Sequence, residues 1–319
     1  MIALNTLSAV RPADVRLSTI RKLVLALCLL PALAPAPRHL AADTLKGEHY
    51  SIEFERQDIE TAILVGTVID ECWDDLARAV GADDQSAPVS VLIPGSLDEF
   101  REVAGGNDQR WVVGVSVHPH SLIAVKPPRM LEPSLKTIRQ TVRHELVHIM
   151  LARASNVGNM PRWLNEGIAM RASGETAASA EWRIAGAVLR RALIPLDELD
   201  RHFPLSHEGA SLAYAESLSV VNHIAETYGE EALLKLTRTL KDRDFHTALA
   251  SSLGVDLSTL SEQWVETVRI SPYVVTLVTG SFALWLMTIV AIVAFFRKRR
   301  LARLKKSEWE MEEAHGEDF

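Results

Sequence analysis

A chain of 319 residues that is 48% hydrophobic and 24% charged has enough apolar side chains to fill a sizeable core, which excludes general disorder. Its formal net charge of −7 excludes nucleic acid as a partner, because the basic residues that do cluster sit beside an apolar segment and have a membrane explanation. Cys28 and Cys72 are the only cysteines, and Cys28 falls in a segment expected to be removed, so no intramolecular disulfide can support the mature fold.

The N-terminus reads as a secretory signal. Arg16, Arg21 and Lys22 precede the apolar run Leu23–Leu30, and a Pro/Ala-rich stretch then leads to Leu40-Ala41-Ala42-Asp43. Basic, apolar and small residues in that order predict export, with residues 1–42 as the signal and cleavage after Ala42. An uncleaved anchor is the alternative reading. Leu27 is too large for the small residue that lipidation at Cys28 would require.

His49–Glu55 alternates in the manner of a strand, with Tyr50, Ile52 and Phe54 on one face. Ile59–Val80 follows as an amphipathic helix ending at Gly81, with Cys72 among its apolar residues and expected to be buried. Pro88–Ile93 predicts a second strand, Ser96–Val103 a short helix capped by Ser96, and Gly105-Gly106-Asn107-Asp108 a turn. Trp111–Val117 and Ser121–Val125 are β-rich and separated by His118-Pro119-His120, which predicts a hairpin. From Leu135 to Ile270 the pattern is helical apart from loops near 155–161 and 202–210. The expected class is α+β: a small mixed sheet followed by a helical lobe.

The first helix of that lobe carries His144-Glu145-Leu146-Val147-His148. Residues four apart stand one above the other on a helix, so the two imidazoles can reach one metal ion. Glu145, rotated by about 100° from His144, leans beside that ion, where a general base for an activated water belongs. An isolated match could equally be two polar residues on a half-exposed helix, so a third ligand decides the matter. Glu166, in Pro161-Arg162-Trp163-Leu164-Asn165-Glu166-Gly167-Ile168-Ala169, is that candidate, since the loop Ser155–Met160 lets its helix fold back onto the first. Lys136, Arg139, Arg143 and Arg153 around the motif exclude an intramembrane protease. His118, His120, His202, His207 and His223 have no ligand spacing and receive no role.

Val274–Phe296 is a run of 23 uncharged residues, and seven of the next ten are basic. A helix of that length rises about 35 Å, enough to cross a hydrocarbon core of about 30 Å. Residues 273–296 are therefore expected to span a membrane. The basic cluster should keep residues 297–319 in the cytoplasm, leaving 43–272 as an extracytoplasmic domain. The acidic tail after Ser307 is expected to be disordered.

Taken together, Arg143–His148, Trp163–Ala169, Ala213-Tyr214-Ala215-Glu216-Ser217 and Tyr228-Gly229 resemble the gluzincins, and especially the bacterial peptidase-MA-like group, over residues 45–268. The resemblance implies a zincin-like fold, one zinc ion held by His144, His148 and Glu166, and hydrolysis of peptide or protein substrates with Glu145 as base. It also implies an edge strand that pairs with an extended peptide, for which Ser121–Val125 is the candidate. Tyr214 matches a tyrosine of related proteins and is the candidate oxyanion donor, with an aromatic core residue as its other reading. Many gluzincins carry an acidic residue four positions after the glutamate ligand, where it orients a zinc histidine; here Met170 stands there, and no partner is identified. A catalytically weak scaffold serving binding or assembly at the membrane is the competing function, and a partner membrane protein that presents substrate stays open.

Overall fold

The computed structural model describes residues 43–82, 87–106, 112–130, 138–175, 177–201, 203–204 and 207–316. The expected signal segment and the Asn107-Asp108 end of the predicted turn lie outside them. Among the described residues, five strands form one mixed sheet: β1 (Asp43–Lys46), β2 (Tyr50–Phe54), β3 (Val89–Leu92), β4 (Gly114–Val117) and β5 (Leu122–Val125), in spatial order β1-β2-β3-β5-β4. β2, β3 and β5 run parallel at the centre, and β1 and β4 flank them antiparallel. β1 has no counterpart in the sequence reading. Its one-sided, mostly exposed pattern lacks the apolar alternation that marks a buried strand.

The predicted hairpin is present, and its turn places Ser121 in the left-handed region at φ 46°. It overturns one expectation, because β5 is interior, paired on both sides, and β4 is the edge. The two strands advertise these roles. Leu122-Ile123-Ala124-Val125 is continuously apolar, as a strand buried on both faces requires, whereas Gly114-Val115-Ser116-Val117 alternates.

Helix α1 (Ile59–Val80) covers the sheet and ends at Gly81 with φ 72°, as its sequence predicts. Cys72 is buried in it and free. α2 (Leu97–Val103) is capped by Ser96, whose hydroxyl accepts the Glu99 N–H at 3.2 Å. The helical lobe comprises α3 (Ile138–Ala154), α4 (Arg162–Ser173), α5 (Ala177–Arg190), α6 (Leu196–Arg201), α7 (His207–Tyr228), α8 (Glu230–Thr239), α9 (Phe245–Leu253) and α10 (Leu257–Arg269). α3 is the central helix, packed against α1, the sheet and α4, and Leu146 and Val147 are fully enclosed. Among the described residues, one core runs through both lobes.

α11 (Pro272–Gly316) is a single long helix. Its apolar stretch is bare, with Phe282 72% and Trp285 70% exposed, and it is long and apolar enough to cross a membrane. The helix overturns the expectation of a disordered tail, since it continues to Gly316. Residues 297–314 are rich in Arg, Lys, Leu, Glu, Met and Ala, all strong helix formers, and nothing in that stretch breaks the turn already started in the apolar part.

Candidate metal centre and cleft

α3 places His144 and His148 one turn apart, each 7% exposed, with their rings facing the start of α4. The Nε2 atoms lie 3.1 Å apart. Glu166 Oε2, from the first turns of α4, is 3.5 Å from His144 Nε2 and 3.6 Å from His148 Nε2. Ligand arms of about 2.0–2.2 Å to a tetrahedral zinc put neighbouring donors about 3.4 Å apart, so the three atoms have the spacing of three corners of such a site. The donor set, two imidazoles and a carboxylate, also suits that ion.

Both rings are fixed from behind. His144 Nδ1 donates to Glu175 Oε1 at 2.8 Å, and His148 Nδ1 donates to Asn165 Oδ1 at 2.8 Å. An amide oxygen and an ionised carboxylate can only accept, so Nδ1 carries a proton in each ring, and a ring that binds a metal does so through an Nε2 lone pair aimed at the common centre. Glu175 thus fills the supporting role that Met170 cannot. It reaches His144 from beyond the helix end: Gly174, at φ 76°, terminates α4, and the Glu175 N–H bonds back to the Met170 carbonyl at 3.0 Å. Asn165 and Glu175 were both missed as site residues. A glycine cap followed at once by an acid was the available signal.

The electrostatics favour a cation at the convergence point. Burial opposes a charge on His144, but the carboxylates of Glu166 and Glu175, with Glu145 behind them, outweigh it and lift its pKa to about 9. Burial likewise works against an ionised Glu166, yet the two imidazoles hold its carboxyl well below the usual range.

These groups floor a cleft of about 810 Å³, bordered by β4 on one side and by α5 and α7 on the other. Glu145 is half-buried and lines it beside the donors. β4 lies close over this base, because Gly114 has no side chain: a Cβ there would stand 2.6 Å from Thr141 Cγ2 and 3.3 Å from Glu145 Cγ. Tyr214 faces the cleft from α7, its ring edge-on to Phe203 at 5.1 Å, and burial followed by the nearby Glu166 carboxylate pushes its hydroxyl pKa up. Arg162 sits against the same Phe203 ring, 4.2 Å from its centre, and 3.7 Å from Glu166 Oε1.

His118, given no role from its spacing, proves to line the cleft at the end of β4, with its ring 6.0 Å from that of His148. Its buried Nε2 has no partner among the described residues. Burial, with His148 nearby, lowers its pKa. His223 lies elsewhere, against Thr227 and Thr267.

Two further contacts set the cleft wall. Gly167 lets α4 touch the main chain of α7, since a Cβ there would stand 2.6 Å from Val221 Cγ2 and 2.8 Å from the Ser217 carbonyl carbon. Glu216, fully buried on α7, accepts the Ile194 N–H at 3.1 and 3.3 Å and pins the connection between α5 and α6. Burial raises its pKa to about 8, against the opposing pull of that N–H.

A sheet lobe and a helical lobe on either side of a cleft, with a buried His-His-Glu group in its floor, define a zincin-like scaffold. A family model described as the Peptidase MA superfamily matches residues 70–270, and the chain belongs to that superfamily. No curated protein matches the chain at a significant level.

Proposed function

We propose that this chain is a membrane-anchored zinc metallopeptidase of the gluzincin type. The observation that carries the reading is the convergence of His144 Nε2, His148 Nε2 and Glu166 Oε2, at 3.1 to 3.6 Å from one another, beside the Glu145 carboxylate. A zinc ion held there supplies Lewis acidity toward a water and a substrate carbonyl. The chain's own groups do the rest. Glu145 takes a proton from the attacking water as its oxygen bonds to the carbonyl carbon, and returns it to the leaving amine as the C–N bond breaks. Tyr214, its hydroxyl kept protonated by burial, donates to the oxyanion.

β4 supports the substrate's backbone. Lys126 donates to the Val113 carbonyl at 2.9 Å, so Val113, Val115 and Val117 bond inward to β5. In an antiparallel ladder the alternate residues, Gly114 and Ser116, then turn their N–H and C=O groups to the free edge, where an extended peptide can pair with them.

For the whole chain, the reading is a signal over 1–42, an extracytoplasmic domain over 43–272, a span over 273–296 and a cytoplasmic tail over 297–319. The test is metal analysis of the purified full-length protein paired with cleavage of a peptide library. One equivalent of zinc with cleavage is expected. Zinc without any cleavage would favour the binding or assembly module, and no zinc would sink both. Reporter fusions at Asp43 and Glu308 should report opposite sides of the membrane, and the same side at both would overturn the topology.

A further inference from the structure

We propose that the cleft operates at the bilayer surface, on polypeptide segments lying within a few residues of a membrane span, and that α5 holds it there. The inference rests on the reading of α11 as a membrane anchor. α10 ends at Arg269 and α11 begins at Pro272, so Ile270 and Ser271 alone join the domain to the long helix. Two extended residues reach only about 7 Å. The first turn of α11 is moreover docked on the domain: Val274 is 7% exposed, and the Tyr273 ring meets Trp182 of α5 edge-on, 5.0 Å between centres. A helix serving as a mere tether would begin after a longer polar linker. Here it starts as part of the domain.

The face of α5 that receives α11 is apolar and open. Trp182 is 44% exposed, Leu189, seven residues on and so on the same face, 49%, and Ile270 at the junction 74%. Tryptophan and tyrosine are the residues that settle at headgroup depth, and an exposed patch continuous with a membrane helix is covered by lipid headgroups when that helix is inserted. Ser179, Ala180 and Arg183 of the same helix α5 line the cleft. A helix with its side chains is about 10–12 Å across, so the thickness of one helix separates the cleft wall from the aromatic pair. A cleft at that height admits a chain emerging from the membrane more readily than one delivered by a bulky soluble fold.

The experiment uses the full-length protein in phosphatidylcholine/phosphatidylglycerol vesicles. The substrates are a single-span reporter with one cleavable sequence placed about 5 or about 40 flexible residues from its span, and the same sequence as a free peptide. The near site should be cut at least about tenfold faster than the far one, and a Gly/Ser insertion of about 12 residues between Ser271 and Pro272 should erase that preference while free-peptide cleavage persists. Equal rates at both sites, or a preference that survives the insertion, would overturn the substrate assignment. Docking is read separately from cleavage. An environment-sensitive probe attached to Leu189→Cys should be quenched by brominated lipids, and one on Leu97→Cys in the sheet lobe should not. Absence of quenching at position 189 overturns the docking. Loss of all cleavage, free peptide included, would instead fault the peptidase reading, with the quenching still deciding where α5 lies.

Discussion

The floor and the rim of the cleft are built on different plans. In the floor, each histidine is held by another group, His144 by Glu175 and His148 by Asn165, and Glu166 is flanked by Arg162. Its parts all come from one stretch, 144–175. The rim is drawn from distant parts of the chain, β4, Phe203 and α7, and among the described residues it presents groups to the cleft with room left on them: the His118 Nε2 and the free edge of β4. The contrast teaches that the floor is a set of groups fixed against one another, with the spacing the proposed cation needs. The rim is arranged to meet a ligand that comes and goes.

If that division is right, damage to the floor should cost metal, and damage to the rim should cost only turnover. The largest effect is expected for His148→Ala and Glu166→Ala, which each remove a proposed ligand and should abolish both bound zinc and cleavage. Either variant retaining stoichiometric zinc by metal analysis would break the comparison at its base. Glu145→Gln belongs to the floor by position but supplies no ligand. Zinc should stay near one equivalent while kcat/KM falls by at least about a hundredfold, and undiminished cleavage would sink the mechanism. Glu175→Gln, which keeps an acceptor but removes its charge, should weaken zinc affinity by about tenfold or more, read by competition with a chelator. An unaltered affinity would make Glu175 a bystander. At the rim, Tyr214→Phe should lower kcat by about tenfold with zinc content unchanged, and a wild-type rate would leave it a packing residue.

The smallest effect lies behind the rim. Glu216 has a pKa raised to about 8 by burial, so the folded chain holds its proton between the ordinary carboxylate range, near 4.5, and that value, while the unfolded chain does not. Its contribution to stability is then fully present at acid pH and is lost as pH rises through about 8. Thermal unfolding of Glu216→Gln should lack this decline. A parent and variant with parallel pH profiles would show that Glu216 ionises as freely as an exposed acid.

Much of the floor was legible because helical spacing converts sequence into geometry. Two histidines four apart must share a face, and a glutamate after one loop can return to them. Glu175 escaped because it acts from outside a helix, where no period says which way a side chain points. The rim was hard for a related reason. Strand order in a sheet is a long-range property, and either arm of the 114–125 hairpin could have been the edge until β3 chose β5 as its neighbour. His118 was set aside for lacking ligand spacing, and that argument holds, since it is not among the converging donors. What spacing could not reveal is that the hairpin carries it over the floor. The acidic charge of the tail after Ser307 points to disorder, whereas its helix-forming residues carry the helix on to Gly316.

The glycine at position 167 has a consequence for how the cleft moves. Because α4 and α7 meet there with no side chain between them, the helix that carries Glu166 and the helix that carries Tyr214 are in main-chain contact within one to three residues of both groups. Opening a hinge between them would require prising two helix backbones apart, so these two residues form a single rigid jaw. A substrate lying between that wall and β4 therefore meets Glu166 and Tyr214 at a fixed separation from one another.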